Sequence, residues 1–310
     1  MTIFNNFDNL YQKKGYFMSK TLYAHILILF ATFISGGSFL VSQKLSGVIN
    51  PISINLLRFL IATLTLLPFI FLRKEYRIKL ISTFKRAFII SFFYTSFLIG
   101  MFISLEYTTA LNTGAIFTLV PLLTALLSII FFKQKIPKKQ YIVYLFGIIG
   151  TCIVVFKANL QLLLSLTLNK GDIFFLISIL FISMYSICAK YFYKKDDELL
   201  VLVFMTLVGG CIWMSFALII FNVPLQWDKI SSDNFVSLGY LSIPATLVTA
   251  YLYQKCTVIL GPKKIMAYTY LTPASIALLM ALFYSQTISL LICFGIIISS
   301  LATIILLYKN

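Results

Sequence analysis

Long apolar runs separated by short polar loops follow one another along almost the whole chain. An α-helix needs about 20 apolar residues to cross a hydrocarbon layer of roughly 30 Å. Ten runs approach or reach that length: 21–43, 51–72, 87–106, 111–132, 140–157, 172–193, 199–222, 236–256, 263–284 and 288–308. They are too long and too apolar for the strands of a membrane barrel. The pattern therefore predicts an all-α membrane protein with ten transmembrane helices.

The composition supports the same fold class. Hydrophobic residues make up 60% of the 310 positions, charged residues only 11%, and the mean hydropathy is +0.98. A soluble domain carries about 25% charged residues, so this chain cannot cover a water-exposed surface of ordinary polarity.

The net charge of +16 is distributed unevenly over the loops. Twenty of the 25 Lys and Arg residues lie in alternate loops, four lie in the remaining loops (Lys44, Lys157, Lys170 and Lys229), and Arg58 lies inside a span. Positive loops mark the cytoplasmic side of a membrane. The asymmetry predicts that both termini are cytoplasmic, and it explains the excess charge without a nucleic-acid partner.

The N-terminal basic residues Lys13, Lys14 and Lys20 precede the first span and resemble the start of a signal peptide. The span is too long for a signal peptide and no clear cleavage site follows it, so we interpret it as a retained anchor. Residues 1–20 are expected to form a cytoplasmic tail, and Met18 is an alternative start that would make 1–17 dispensable.

Motifs for cofactor or enzyme chemistry are absent from the sequence. The five cysteines stand singly within apolar runs, there is a single histidine (His25), and no Cys-x-x-Cys or nucleotide-binding loop occurs. The sequence therefore predicts no metal, no cofactor and no enzymatic activity.

Two spans share the same spacing between a proline and a glutamine. The stretch VPLLTALLSIIFFKQKI (Val120–Ile136) and the stretch TPASIALLMALFYSQTI (Thr272–Ile288) each place a glutamine thirteen residues after a proline, and the two are offset by 152 positions. At the same offset, Gly147 and Gly150 correspond to Ser299 and Ala302, so small residues occupy equivalent positions in the two stretches.

The offset relates spans 4–5 to spans 9–10, so one repeat contains five spans. Because five is odd, the second repeat is expected to enter the membrane in the opposite orientation. The predicted units are a first repeat at 21–157, a periplasmic linker at 158–171 and a second repeat at 172–310. Inverted repeats are typical of secondary transporters that work by alternating access.

Three segments carry a family resemblance: 35–69, 106–136 and 260–288. With Arg58, Pro121, Pro273 and the Leu260–Pro262 turn, the chain resembles the ten-span EamA branch of the drug/metabolite transporter superfamily. It departs from that family at Ser35, which replaces a usual Trp. The usual Gly-Glu after each proline span is Lys133–Gln134 in one half and Ser285–Gln286 in the other.

Arg58 is the one charged residue well inside a span, about 10 Å from Pro51 along the helix. A charge at this depth needs a cavity or a partner. Substrate contact, gating and a purely structural role all fit this position. Glu106, at the outer end of span 3, is a candidate for proton coupling or for pairing with Arg58, and a solvated loop position is the alternative. Asp172 is a similar but weaker candidate, and His25 is expected to be a wet interfacial residue.

Polar and aromatic residues near the middle of the spans are candidates for the lining of a substrate cavity, which the resemblance places partly between spans 3, 4, 8 and 9. Packing or interfacial anchoring is the alternative for each of them. The cavity candidates besides Arg58 are Ser38, Tyr94, Asn112, Thr113, Tyr185, Tyr268, Thr269 and Tyr270, and the prolines Pro121 and Pro273 are gating candidates.

The sequence thus predicts a secondary transporter of a small organic metabolite, such as an amino acid, in the bacterial inner membrane. The resemblance favours export, or exchange with a counter-solute or coupling ion. A lipid or lipid-linked carrier flippase would require a groove open to the bilayer. A membrane sensor or scaffold would transport no solute. The solute, the transport direction and the oligomeric state are not encoded in any recognisable motif.

Overall fold

The computed structural model describes residues 19–155, 169–284 and 289–308. Regular structure in these ranges is helical throughout, which confirms the all-α prediction. The α-helices are α1 (Lys20–Leu45), α2 (Pro51–Phe71), α3 (Lys74–Leu105), α4 (Ala110–Phe117), α5 (Val120–Phe132), α6 (Lys138–Val155), α7 (Lys170–Tyr191), α8 (Leu199–Ile220), α9 (Phe235–Ser242), α10 (Thr249–Leu260), α11 (Pro262–Ala267), α12 (Thr272–Tyr284) and α13 (Leu290–Tyr308).

Polar caps begin several of these helices at the ends of the apolar runs. The Ser19 hydroxyl accepts a hydrogen bond from the Leu22 amide, and the Asn50 side chain accepts one from Ile52. Asn169 and Asp172 form a reciprocal capping box at the start of α7. Each cap satisfies amides that have no partner inside the helix, so the loop residues fix where each helix starts.

Eight helical stretches in the described part of the chain are long and apolar enough to cross a membrane, and Val120–Phe132 is a shorter apolar helix. The protein is therefore a multi-pass membrane protein. Helix α6 covers most of the fifth expected span. The expected total of ten crossings, their inverted orientation and the unit boundaries 1–20, 21–157, 158–171 and 172–310 stay predictions.

The fourth and ninth expected spans are each interrupted, a feature on which the apolar pattern made no prediction. A turn at 118–119 separates α4 from α5, and a 3₁₀ turn at Tyr268–Leu271 separates α11 from α12. Proline lacks an amide hydrogen and clashes with the carbonyl four residues earlier, so Pro121 and Pro273 interrupt the preceding turn. Positions 118–119 shifted by 152 are positions 270–271, so the two repeats are broken at equivalent places.

Helix α3 packs against α7 and α8, α8 packs against α2, α1 packs against α10 and α12, and α6 packs against α13. Small residues allow these close contacts. A Cβ atom on Gly150 of α6 would lie 2.7 Å from the Ser299 amide nitrogen of α13. The small residues that the repeat singled out thus lie where the fifth and tenth expected spans meet.

Large apolar side chains such as Leu64, Ile219 and Phe283 are exposed on the outside of the helix bundle. Inside it, hydroxyls donate to carbonyls of their own helix, as Thr32 does to Ile28 and Thr206 to Leu202, each at 2.8 Å. Apolar groups outward, with interior hydroxyls that bond to their own helix, suit a hydrocarbon environment.

One end of the molecule holds most of the basic residues, and we call it the basic end: residues 72–86, 133–139, 190–198 and 255–264. An ion pair ties it together. Arg86 of α3 makes two hydrogen bonds to the Asp197 carboxylate, one of them at 2.7 Å, and donates to the Phe192 carbonyl at 2.9 Å. The pair joins the first turns of α3, which project beyond the expected span, to the loop between α7 and α8.

Candidate functional site

A cavity lies in the middle of the bundle between α1, α2, α3, α7 and α10. Its volume open to water-sized molecules is about 60 Å³. Phenylalanine, leucine and methionine side chains form much of its wall. The polar side chains and tyrosines on its lining are Ser35, Ser38, Arg58, Tyr94, Tyr185, Thr249, Tyr253 and Thr269. Apolar walls with a few polar groups are typical of small-molecule sites, which usually measure about 300–1,000 Å³, so an organic solute requires this cavity to widen.

Arg58 is the one charged residue on this lining, and it is only 1% exposed. Its Nε donates to the Leu241 carbonyl at 3.0 Å and to the Thr246 hydroxyl, and its Nη2 donates to the Ala245 carbonyl at 3.3 Å. Within the described chain its hydrogen-bond partners are neutral oxygens, and no carboxylate is paired with it. The positive charge is therefore held in place without being neutralised.

A π-helical segment at Ile243–Val248 supplies the oxygens of Ala245 and Thr246, and the Leu241 carbonyl belongs to the last turn of α9. It lies between α9 and α10 and contains Pro244, which cannot donate to the preceding turn. The wider π turn loosens the carbonyl ladder, and such turns are frequent at functional sites. Leu241 and Ala245 can therefore direct their carbonyls at a neighbouring helix.

The remaining terminal nitrogen of Arg58, Nη1, is buried and has no hydrogen-bond partner among the described residues. A buried charged donor without a partner lowers the stability of the fold. A ligand oxygen that accepts from it therefore binds with the full free energy of a charge-assisted hydrogen bond. A carboxylate or another anionic oxygen fits this donor by charge.

Two tyrosine rings, Tyr94 and Tyr185, share the cavity lining with Arg58. The rings of Tyr94 and Tyr185 stack with centroids 4.9 Å apart, and Phe59 lies 5.5 Å from Tyr94 at a tilt. These rings offer flat apolar faces, and the two tyrosines add hydroxyls on the cavity lining. Together the groups can hold a solute with one anionic end and an apolar or mixed body.

Comparison with known proteins decides the family. The model of the EamA-like transporter family matches residues 22–156 and again residues 169–308. The chain belongs to the EamA-like transporter family. The double match gives the two-repeat architecture, and membership supports a membrane transporter rather than an enzyme.

EamA-like relatives are similar at moderate identity. The chain is 26% identical over 235 residues to the "Uncharacterized transporter YyaM" of Bacillus subtilis (strain 168), a match of 72% of this chain and 76% of that protein. It is 25% identical over 214 residues to the "Uncharacterized transporter YetK" of the same organism, a match of 66% of this chain and 62% of that protein. A solved crystal structure covers 89% of this chain and 94% of its own with a TM-score of 0.65 and 16% identity, which shows a shared fold alone.

Five of the cavity candidates from the sequence lie on the lining of the central cavity: Arg58, Ser38, Tyr94, Tyr185 and Thr269. Four do not lie on its described lining. Asn112 and Thr113 are in α4, where the Thr113 hydroxyl donates to the Ala110 carbonyl at 3.0 Å.

Tyr268 and Tyr270 make contacts elsewhere. The Tyr270 hydroxyl donates to the Tyr144 carbonyl at 3.0 Å and helps to hold α6. The Tyr268 hydroxyl lies 2.8 Å from Nδ1 of His25. His25, expected to be a wet interfacial residue, is therefore joined to the broken segment of the second repeat.

Pro121 and Pro273 are buried at the starts of α5 and α12, directly after the two breaks. Asp172 is also buried. Its carboxylate accepts from the Thr108 hydroxyl at 2.8 Å and closes the cap of α7, so its contacts are those of a structural residue.

Glu106 lies outside the cavity, in a pocket of about 650 Å³ between the loops at the end opposite the basic end. We call this the outer pocket. Partial burial raises the pKa of its carboxyl above the ordinary glutamate value. The predicted pairing of Glu106 with Arg58 is not present: Arg58 contacts the π segment instead.

Sequence reasoning missed three residues around Arg58: Thr246, Thr249 and Tyr253. All belong to the π segment and α10, and Thr249 and Tyr253 line the cavity. Pro244 was the available signal, because a proline within an apolar span marks a place where carbonyls lose their partners. In the described residues no cluster of three or more His, Cys, Asp or Glu side chains is arranged to hold a metal ion.

Proposed function

We propose that the protein is a secondary active transporter that carries a small organic solute with a carboxylate group, such as an amino acid, by alternating access. The proposal rests on the buried guanidinium of Arg58. This residue lines a cavity together with aromatic and hydroxyl side chains, and its Nη1 has no hydrogen-bond partner among the described residues. The anionic end of the solute binds Arg58, and its body lies against Tyr94 and Tyr185.

The matched breaks in the two repeats support alternating access. Transporters of this kind place their substrate site at the interface of the repeats, next to interrupted helices. Thr269 belongs to the break before Pro273 and lines the cavity. Phe117 ends α4 at the other break and lines it too. A change in either break therefore changes the walls of the solute site.

The basic loops support a topology in which both termini are cytoplasmic and the outer pocket faces away from the cytoplasm. In this arrangement the protein resides in a bacterial inner membrane and works as an exporter or exchanger. The energy comes from the solute gradient, a counter-solute or a coupling ion.

Counterflow into proteoliposomes tests the proposal. Purified protein is reconstituted and the uptake of labelled solutes is measured against an internal pool, with pairs that differ only in a carboxylate, such as an amino acid and its amide. We expect flux of a carboxylate solute. Arg58→Gln should reduce its apparent affinity about tenfold or more, because hydrogen bonds to charged groups contribute about 1.5–3 kcal/mol.

Arg77→Gln is the matched control, because Arg77 is exposed at the basic end. It should leave the flux unchanged. Arg58→Lys, which keeps the charge but not the fork of donors, should retain part of the affinity. Equal flux of acid and amide, with no effect of Arg58→Gln, would contradict the carboxylate assignment. No flux of any solute would favour a sensor or scaffold.

A further inference from the structure

An apolar groove runs along the outside of the bundle, away from the central cavity. It has a volume of about 460 Å³. Helix α3 forms its floor and α7 and α8 form its walls, with Phe174 and Phe181 on one side and Trp213 and Phe216 on the other. Gly100 on the floor brings α3 against Ser178 of α7, since a Cβ there would lie 2.0 Å from the Ser178 hydroxyl.

The groove is as long as one leaflet of a bilayer. Along α3 it runs from Phe92 to Ile103, about 16 Å at 1.5 Å per residue. Half of a hydrocarbon layer is about 15 Å thick. The groove ends at the outer ends of α3 and α8, so its length and position match an acyl chain of the leaflet on that side.

The groove continues into the outer pocket. Ile52 and Ile103 line both spaces. The outer pocket has a mixed polar and apolar lining and carries one charge of each sign, on Glu106 and Lys229. Lys229 is exposed and forms no ion pair within the described ranges. An apolar channel that opens into a site with one cation and one anion is complementary to a lipid with a zwitterionic head.

The loop that carries Lys229 is fixed to the start of α2. The Trp227 indole donates to the Ser53 carbonyl at 3.4 Å, and the Ser53 hydroxyl donates to the Leu225 carbonyl. Asn222 and Gln226 in this loop line the pocket with positive φ values of 50° and 53°. The loop thus has a defined shape over the end of the groove.

We infer that this groove and the outer pocket together bind one zwitterionic aminophospholipid. One acyl chain lies in the groove, the phosphate binds Lys229, and the primary ammonium donates to Glu106. Helices α3 and α7 separate this site from the central cavity: Tyr94 and Tyr185 face the cavity, while Ile99 and Ile177 face the groove. The lipid therefore does not follow a path through the cavity and instead supports the two helices that form the cavity wall.

Quenching of Trp213 fluorescence tests the inference. The chain has two tryptophans, and Trp227 is kept because its indole fixes the loop of the outer pocket. Bromine at mid-chain reports on Trp213 in the groove, whose indole nitrogen is fixed by a hydrogen bond to the Phe88 carbonyl at 3.0 Å, since Trp227 lies in the loop at the level of the lipid heads. The full chain is reconstituted in phosphatidylcholine vesicles that contain phosphatidylethanolamine, phosphatidylcholine or phosphatidylglycerol brominated at mid-chain. Brominated phosphatidylethanolamine should associate roughly threefold more strongly than the other two, the size expected of exposed charge pairs.

Lys229→Gln and Glu106→Gln should each reduce this preference, and Ala217→Leu, which narrows the groove, should reduce quenching by all three lipids. Lys170→Gln, another exposed lysine at the same end, is the control and should change nothing. Equal quenching by the three lipids, unaffected by Lys229→Gln, would mean that only unselective annular lipid contacts Trp213 and would overturn the inference. A preference for phosphatidylglycerol would overturn the role of Glu106.

Discussion

At the scale of single residues, Arg58 shows how a membrane protein keeps a charge in its interior. Arginine stays protonated in proteins, so burial cannot neutralise it. Three hydrogen bonds to oxygens around the π segment hold it, and none of them removes its charge. The same group costs stability while its charge lacks an anionic partner, and in the proposed function the solute supplies that partner.

Lys133 carries backbone strain at the end of α5. It caps the helix in the left-handed region with φ 52°, and its amide donates to the Ser128 carbonyl. Glycine, which the family usually places here, adopts this conformation freely, whereas other L-residues pay about 1–2 kcal/mol.

We therefore expect Lys133→Gly to raise the free energy of unfolding by about 1 kcal/mol. The measurement is the thermal unfolding midpoint of the purified protein in detergent. Lys135→Gly is the control, since Lys135 is exposed and has no positive φ; it should lower the midpoint or leave it unchanged. A lower unfolding midpoint for Lys133→Gly would contradict the prediction, because it would show that the positive φ of Lys133 does not destabilise the folded protein.

At the scale of helices, three prolines mark interruptions that the apolar length does not show, whereas Pro68 lies inside α2 without interrupting it. Pro121, Pro244 and Pro273 each lie within an expected span, and each lies at an interruption: two turns and a π segment. All three interruptions contribute residues near the cavity. Helix breaks expose carbonyls and hydroxyls that a continuous helix would use for itself.

The link between α3 and the α7–α8 loop gives a prediction with a pH dependence. Side-chain exposures of 15% for Arg86 and 7% for Asp197 mark a well-shielded pair. Desolvation tends to raise the pKa of Asp197, but hydrogen bonds from Arg86 and from the Lys194 amide outweigh it, so the pKa is lowered. A lowered pKa in the folded state means that the stabilisation is complete above the ordinary aspartate value of about 3.9.

Asp197→Asn should therefore lower the free energy of unfolding by about 2–3 kcal/mol at neutral pH. The difference from the unchanged protein should stay constant from neutral pH down to the ordinary aspartate range. It should disappear only as the pH falls through the lowered pKa. Thermal unfolding in detergent across this pH range measures it.

Glu198→Gln is the matched control for this prediction. Lys79 and Glu198 lie 3.5 Å apart in the same region but are 37% and 45% exposed. Removing that pair should change stability by less than about 1 kcal/mol. Equal effects of the two substitutions would contradict the special role of the Arg86–Asp197 pair.

At the scale of the whole molecule, the two repeats should face opposite sides of the membrane. Lys135 follows α5 in the first repeat, and Ser289 follows α12 in the second, two positions beyond the place that the 152-residue offset gives for Lys135; both are exposed. In a variant without the five native cysteines, Lys135→Cys should react with an impermeant thiol reagent only after the cells are opened. Ser289→Cys should react in intact cells. Reaction of both from the same side would contradict the inversion.

The apolar pattern was sufficient for the fold class because every residue in hydrocarbon must satisfy its backbone within a helix. It predicted the helix from Lys20 to Leu45 and the helix from Pro51 to Phe71 almost to the residue. It did not predict the breaks at 118–119 and 268–271, because apolarity does not report where a proline lets the chain bend.

The candidate site was predicted only in part, for a related reason. Arg58 stands out in any reading of the sequence, since charge inside a span is rare. Tyr94 and Tyr270 look alike in sequence, yet Tyr94 faces the cavity and Tyr270 packs against α6. Which face of a helix a residue occupies relative to distant helices depends on the rotation and tilt of the whole bundle.

The sequence by itself determined the membrane-embedded helices, the repeat and the one charge well inside a span, because these follow from local hydrophobicity and from comparing the chain with itself. The tertiary structure alone decided that Arg58 binds carbonyls of α9 and the π segment instead of Glu106. It also decided that α3 has a cavity on one face and a groove on the other. Both depend on contacts between residues far apart in the chain, and their partners are set by how the helices pack.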